Sequence, residues 1–515
     1  MSFGLLAFLT AFGTSAVFAP LFGRLATRFG VVDAPDEHRK LHAKPVPLTG
    51  GPTLVLSGVV AVLVTVSRYP GLLAPSAHDV KFLVGLLVAG TFISVVGVID
   101  DRFGMRGRQK LAAQIIAAAI MLPTGIVIRQ VSLFGYEISF GDLAPLITLI
   151  TLVGAINALN LIDGVDGLAC TTGIVLSLSV AAVAFIYGAR PDGLMVSLIL
   201  AGALVGFLIY NFPPAKMFLG DSGSMLIGLT LGAIALKCSF KQYTIPALMM
   251  PTAIWAIPLF DVSMAIVRRK LTGRSIYETD RGHLHHCLER RGVKGGWLLV
   301  IMAGLCGLTG LAAIGASIMK NDLIAVVGIV TALSLLVLTR SFGHTEMNLL
   351  STRFRRLTGS MIRRAPAVQT VMHDEKTHLN GDHNWQHLWE TLTVFAERFE
   401  MDSVQLMVNL PKIGEEYHAS WKRRSNTELH QEWKSEIPLI VQGMRVGHLR
   451  VVGAVGEGSI CKWMSELIGG LEAFEAELIT LIEDLKARKQ VAPQSEIPVA
   501  PVDESRRLVV SEFSA

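Results

Sequence analysis

Charge is scarce in this chain. Only 17% of its 515 residues are Asp, Glu, Lys or Arg, against 51% hydrophobic ones, and the mean hydropathy is +0.51. That balance excludes an ordinary soluble globular protein. Cysteine is sparse too. Cys170, Cys238, Cys287, Cys306 and Cys461 are scattered, with no Cys-x-x-Cys pair, which excludes a disulfide framework and a cysteine zinc site and leaves free thiols. The net charge of +5 is too small to indicate a nucleic-acid binder once its distribution is considered. Residues 1–22 lack the basic start of a signal peptide, and Pro20 directly after Val17-Phe18-Ala19 is a poor cleavage context, so the first apolar run is expected to be an uncleaved span. An internal repeat is also missing, which counts against a transporter built from related halves.

Long apolar runs are what the chain has in their place. The hydrocarbon core of a bilayer is about 30 Å thick and a helix rises about 1.5 Å per residue, so a run of roughly 18 residues is a candidate span. Such runs fall near 3–22, 49–67, 82–99, 111–128, 143–160, 168–188, 194–210, 223–240, 246–267, 297–317 and 323–339, about eleven in all. The expected fold class is an all-α polytopic membrane protein with a C-terminal cytosolic α+β domain.

Lys and Arg set the orientation. One set of alternate loops carries Arg24, Arg28, Arg39, Lys40 and Lys44, then Arg102, Arg106, Arg108 and Lys110, then Lys216, then Arg268 through Lys294. The opposite set is poor. The rich set is read as cytoplasmic, with the N-terminus outside and the chain beyond residue 341 in the cytosol. The expected domains are a multi-pass transmembrane domain over 1–340, a basic juxtamembrane linker over 341–383, a cytosolic α+β domain over 384–489 and a disordered tail over 490–515. Arg353, Arg355, Arg356, Arg363 and Arg364 of the linker suit anionic lipid headgroups or a solvated linker equally. Beyond it, 384–400 reads as an amphipathic helix, Ser403–Asn409, Glu436–Val441 and Gly447–Val452 as strands, and Met464–Lys486 as a helix.

Chemistry concentrates in the loops read as cytoplasmic. Asn157-Ala-Leu-Asn160-Leu-Ile-Asp163-Gly-Val-Asp166-Gly joins two apolar runs and puts two carboxylates at a membrane edge, where an acid needs a reason to be. Asp100 and Asp101 follow the run ending at Ile99, where the negative pole of a helix disfavours them. Capping the helix beginning near Gln109 is the alternative. Arg102, Arg106, Arg108 and Lys110 behind them suit phosphate oxygens. Asp221, in Phe218-Leu-Gly-Asp-Ser-Gly-Ser, reads as a magnesium ligand, an N-cap, or both. His283, His285 and His286, with Arg281, Arg290 and Arg291, read as contacts to a diphosphate, and His38 to Lys44 as a second basic loop. Asn211 opens a Pro-broken loop on the same side, and Phe218 suits either stacking on a base or anchoring at the interface.

Taken together, Asp100-Asp101, Asn-Leu-Ile-Asp-Gly-Val-Asp-Gly, Phe-Leu-Gly-Asp-Ser-Gly-Ser and His-Leu-His-His resemble the polyprenyl-phosphate N-acetylhexosamine-1-phosphate transferases (glycosyltransferase family 4) over roughly residues 20–300. The histidine motif looks like the branch using UDP-GlcNAc and departs from the muramoyl-pentapeptide branch. The resemblance implies transfer of a sugar 1-phosphate from a UDP-N-acetylhexosamine to undecaprenyl or another polyprenyl phosphate, with UMP released and cell-envelope polysaccharide synthesis begun. It implies Mg²⁺, with Mn²⁺ as a substitute, held by Asp221. Asp100 would deprotonate or position the lipid phosphate beside Asp101, and Asp163 and Asp166 would hold the diphosphate and nucleoside. Lys110, Asn157, Asn160, Asn211, Phe218, His283, His285 and His286 would bind substrate. The lipid bilayer is the setting, no nucleic acid takes part, relatives form homodimers, and the cytosolic domain, faintly like a GAF-type sensory fold, would meet a ligand or partner of its own. A transporter of nucleotide sugars or lipid-linked intermediates is the alternative function, and a sensor with a membrane anchor is the third.

Overall fold

The computed structural model describes residues 2–33, 45–73, 77–133, 136–186, 191–239, 249–271, 282–343, 347, 373–380, 385–399, 401–410, 415–423, 432–441, 444–454, 471 and 474–485. The basic loop from His38 to Lys44, the arginines at 353–364, and the tail from 490 lie outside them. The chain divides into two compact units, Met1–Arg355 and Arg356–Ala515.

The first unit is helical. Its helices are α1 (Ser2–Phe29), α2 (Gly50–Arg68), α3 (Ala77–Phe103), α4 (Gly107–Met121), α5 (Ala144–Ile162), α6 (Leu168–Ile186), α7 (Pro191–Asn211), α8 (Gly220–Ser239), α9 (Met249–Ile254), α10 (Ala256–Leu271), α11 (Leu284–Arg290), α12 (Gly296–Met319) and α13 (Asp322–Leu338). Two short antiparallel pairs accompany them, β1 (Val32–Asp33) with β2 (Val46–Pro47), and β3 (Gln130–Leu133) with β4 (Tyr136–Ser139).

Seven helical segments among the described residues are long and apolar enough to cross a membrane: Phe3–Phe29, Gly50–Arg68, Val80–Phe103, Gly141–Ile162, Leu168–Ile186, Pro191–Asn211 and Gly296–Met319. The other four expected spans take different forms. The run at 111–128 gives α4, which ends at Met121 before a turn holding Pro123 and Gly125, the latter at φ +90°. The run at 246–267 divides into α9 and α10, because Pro258 has no N–H to donate back and fits a first helical turn. The run at 323–339 gives α13, of 17 residues. The run at 223–240 gives α8, and it is buried from Ser222 to Leu236.

Helix α8 is the centre of the unit, packed against α2, α3, α5, α6 and α7. Small residues let the backbones approach. A Cβ on Gly97 of α3 would fall 2.2 Å from Ser222 Cα, and one on Gly228 of α8 would fall 2.6 Å from Ala155 O of α5. At the far end of α8, Lys237 pairs with buried Asp192 of α7 and lies 3.8 Å from the Phe82 ring centroid of α3. Helix α1 lies along α7, whose Gly202 and Gly206 face the carbonyls of Phe8 and Phe12. Pro20 removes the N–H that would bond to Ala16 O, and the Tyr210 hydroxyl of α7 donates to that carbonyl at 2.9 Å.

The second unit holds β5 (His373–Asn380), α14 (Gln386–Arg398), β6 (Ser403–Leu410), β7 (Glu415–Lys422), β8 (Glu432–Val441) and β9 (Met444–Ala454). The strands form one antiparallel sheet in the order β5-β7-β6-β9-β8. Val404, Leu406, Val408 and Leu410 of β6, with Tyr417, Ala419 and Trp421 of β7, join Trp385, Trp389 and Leu392 around α14 and Phe474, Leu478 and Ile482 from the helical stretch 474–485 in one core. Strand β5 falls inside the segment 341–383 read as linker, and β7 had no counterpart in the expected strands.

Close helix approach makes a measurable demand. Gly97→Val is expected to cost about 1 to 3 kcal/mol through overpacking against Ser222, read as a lowered melting midpoint in detergent. Gly154→Ala, where an added Cβ meets nothing within 4 Å, should leave the midpoint unchanged or higher. Equal effects would refute the packing account of the α3 and α8 contact.

Candidate active site

The site is assembled around the start of α8. Gly220 sits at φ +71°, a conformation that favours glycine, and a Cβ there would lie 2.6 Å from Asp101 Oδ2. The preceding turn is pinned on both sides. Asn211, buried at the end of α7, donates from Nδ2 to Met217 O at 2.8 Å. Phe218 N donates to Pro47 O at 2.9 Å and Gly50 N to Leu219 O at 3.1 Å, which seats the turn against the start of α2.

Asp100 and Asp101 lie in the last turn of α3 rather than in a loop after it. Asp101 supplies the first N–H groups of α8 with acceptors: Asp221 N donates to its Oδ1 at 2.8 Å and Ser222 N to its Oδ2 at 3.3 Å. This is N-cap chemistry provided from another helix. Asp221 therefore does not cap its own helix, and its carboxylate turns to Lys110 Nζ at 2.6 Å and Asn160 Nδ2 at 2.5 Å. Lys110 also reaches Asp100 Oδ2 at 3.1 Å, so one ammonium stands between two carboxylates. Asp100 Oδ1 accepts from Met105 N at 2.6 Å and holds the connection to α4. Neither aspartate caps α4, whose N-cap is Arg106, with Gln109 Oε1 accepting from Arg106 N at 3.1 Å.

Asparagines from α5 complete this side. Asn160 also donates to Ser224 Oγ at 3.0 Å. Asn157, one turn earlier, pairs reciprocally with Gln114 of α4: Asn157 Nδ2 donates to Gln114 Oε1 at 2.7 Å, and Gln114 Nε2 to Asn157 Oδ1 at 3.3 Å. That pair fixes α4 against α5 in the register at which Lys110 and Asn160 both meet Asp221.

The acidic turn after α5 closes over the same point. Asp163 follows the last residue of α5, and desolvation, then the negative charges of Asp221, Asp101 and Asp166, hold its carboxyl well above the ordinary 3.8. Asp166 Oδ2 accepts from Ala215 N at 2.9 Å and ties this turn to the one before α8.

The histidine segment meets the acidic turn through His285. Its Nε2 lies 2.7 Å from the position a Cβ on Gly164 would occupy, is buried, and has no hydrogen-bond partner among the described residues. Burial first, then the neighbouring His286, takes its pKa down to about 3, so the ring is neutral. His286 is half-buried, with Nδ1 3.2 Å from Glu289 Oε2, and that hydrogen bond lowers the Glu289 carboxyl below its usual value. His283 is the N-cap residue of α11, with Nδ1 3.1 Å from Asp261 Oδ2.

Asp100, Asp101, Lys110, Asn160, Asp163, Asp166, Asp221 and His285 are thus linked through direct or adjoining contacts. Asn157 and Asn211 hydrogen-bond to Gln114 and Met217 O beside this group, and Phe218 bonds through its backbone to Pro47 O. Sequence reasoning passed over Gln114, Ser224 and Asp261. Asp261 had a signal, as a carboxylate within the apolar run 246–267.

Among the described residues no three His, Cys, Asp or Glu side chains form a metal cage. Magnesium does not require one, since it keeps waters and takes one or two carboxylates together with substrate phosphates. The oxygen-only donors Asp221 and Asp100 fit that habit, with Asn160 fixing the second Asp221 oxygen.

Comparison with known proteins gives this geometry its family. Residues 83–239 match the profile of Glycosyl transferase family 4. A Bacillus subtilis protein named "Probable undecaprenyl-phosphate N-acetylglucosaminyl 1-phosphate transferase" is 32% identical over 289 residues, which span 56% of this chain and 77% of the relative. The "Decaprenyl-phosphate N-acetylglucosaminephosphotransferase" of Mycobacterium tuberculosis H37Rv is 34% identical over 290 residues, 52% of this chain and 71% of the relative. A "Phospho-N-acetylmuramoyl-pentapeptide-transferase" from Desulforudis audaxviator is 29% identical over 337 residues, 60% of this chain and 97% of the relative. The acids at the ends of α3 and α5 and the start of α8 all fall within the matched region, and the chain belongs to glycosyl transferase family 4.

Proposed function

We propose that this protein transfers N-acetylhexosamine 1-phosphate, GlcNAc 1-phosphate foremost, from a UDP-sugar to undecaprenyl or another polyprenyl phosphate and releases UMP. The names of its relatives support polyprenyl-phosphate sugar-1-phosphate transfer. The observation that carries the reading is the junction at Asp221, where Lys110 and Asn160 hold its carboxylate while Asp101 caps its helix. Acids and a cation gathered at the ends of apolar helices suit a reaction between a lipid phosphate in the membrane and a soluble nucleotide sugar.

An oxygen of the lipid phosphate forms a bond to the phosphorus that carries the sugar. The bond from that phosphorus to the bridging oxygen of UMP breaks, and UMP leaves with the electron pair. Asp100 positions the lipid phosphate or accepts its proton, and Lys110 lies between Asp100 and Asp221, near the negative charge that gathers as two phosphates approach. A magnesium ion held at Asp221 supplies further neutralisation of that charge when bound. Asp163 and Asp166 line the nucleotide side, and the histidine segment meets the diphosphate. The bias of Lys and Arg supports a cytosolic site in the bacterial cytoplasmic membrane. A domain boundary after residue 340, with β5 belonging to the second unit, and a regulatory role for that unit are part of this reading too.

The test is transfer of radiolabelled sugar phosphate from UDP-GlcNAc to undecaprenyl phosphate by the purified full-length protein. Lipid product should require Mg²⁺, vanish with EDTA, and fall at least about a hundredfold in Asp221→Ala and in Lys110→Met. Product from another UDP-sugar alone would overturn the donor assignment, and none from any UDP-sugar would overturn the reading.

Asp163 gives a second expectation. Its raised folded pKa means that, above the ordinary 3.8, the folded state keeps a proton that the unfolded state has released. Stability falls as pH rises through the interval between those two values, and the loss persists above it. Asp163→Asn should raise the melting midpoint of ligand-free protein at neutral pH by about 2 °C or more and flatten its pH dependence, while transfer declines. A midpoint that drops would show that the carboxylate stabilises the fold.

A further inference from the structure

Asp261 stands in α10 with 1% of its surface exposed, and a carboxylate so placed is destabilising unless its oxygens are satisfied. Both are. Oδ2 lies 3.1 Å from His283 Nδ1, and Oδ1 accepts from Leu284 N at 2.8 Å. A carboxylate in its ionised form only accepts, and against it the contact is a hydrogen bond when His283 carries its proton on Nδ1. Two turns along α10, Arg268 packs against Gly282, where a Cβ would fall 1.3 Å from Nη1. One helix therefore grips residues 282, 283 and 284 in succession.

The grip is passed on. The rings of His283 and His285 are parallel within 6°, with centroids 5.9 Å apart, and His285 Nε2 faces Gly164 of the acidic turn. Asp261, His283, His285 and Gly164 form a row from α10 to the candidate site. The two hydrogen bonds of Asp261 fix the orientation of His283 and of the first turn of α11.

We propose that Asp261 is a positioning residue for the donor diphosphate: it fixes the tautomer of His283 and the angle at which α11 presents its histidines to the Asp163–Asp166 turn. This rests on the transferase reading above and gives that site an orienting partner. Asp261 acts through His283 and does not itself meet substrate.

The experiment compares full-length wild type, Asp261→Asn, His283→Ala and the double variant, with separate KM values for UDP-GlcNAc and undecaprenyl phosphate, kcat, and the melting midpoint. Asp261→Asn is expected to raise the donor KM at least about tenfold while the lipid KM stays within about twofold. The double variant should be no worse than His283→Ala, because residues acting as a unit are not additive. A wild-type donor KM in Asp261→Asn, an equal rise in both KM values, or a double loss equal to the product of the single ones would overturn the proposal. If Asp261→Asn is not recovered folded, Gly282→Ala replaces it, since an added Cβ displaces Arg268 and shifts the same three residues; a rise in donor KM alone supports the proposal and an unchanged one overturns it. Wild type that transfers from no UDP-sugar defeats the transferase reading and this inference together. Wild type that transfers, beside a variant that matches it, defeats only the inference.

Discussion

The hydrogen bonds from the first turn of α8 to Asp101 are the constraint on which the arrangement depends. Helix starts leave N–H groups without partners, and the usual remedy is a side chain from the residue just before the helix. Leu219 and Gly220 offer no such side chain, so α3 provides the acceptor. The consequence is chemical as well as structural. With its own backbone N–H engaged by Asp101, Asp221 directs its carboxylate to Lys110 and Asn160. Capping, helix packing and the gathering of charge are thus one event.

Polar contacts near the site and close backbone approach below it hold the helices around that point. Gln114 and Asn157 lock α4 to α5. Gly97 lets α3 approach α8 and Gly228 lets α5 do so. Small residues suit this role in an apolar medium, where helices gain from van der Waals contact more than from exclusion of water. The acids can then be crowded together because the scaffold, not their mutual interaction, sets their spacing.

Much of this was legible in the sequence because long apolar runs and isolated acids at their ends are strong signals. The Asp100-Asp101, Asp163 to Asp166, Asp221 and His283 to His286 motifs all lie where helices begin or end. The form of four of the runs was not legible, since hydropathy treats a helix buried among protein and one facing lipid alike. Helix α8 reads as a span and is enclosed by its neighbours, while 246–267 reads as one run and breaks near Pro258. The partners of Asp101 and Asn157 were also hidden, because a motif names residues that occur together without saying what each one touches. Strands β5 and β7 escaped for a different reason: His373–Asn380 is polar along its length, and Glu415–Lys422 reveals its buried alternation only beside β6.

Helix α8 is fixed at both extremities. At one, Asp101 holds the Asp221 and Ser222 N–H groups; at the other, Lys237 is bound by Asp192 and Phe82. A rod tethered by charge at each tip and enclosed along its length has no low-energy route for a piston stroke or a rotation. It behaves as a stator. Asp221 is thereby given one fixed address, shared by the turns at 163–167 and 211–219 that Asp166 and Ala215 tie together beside it.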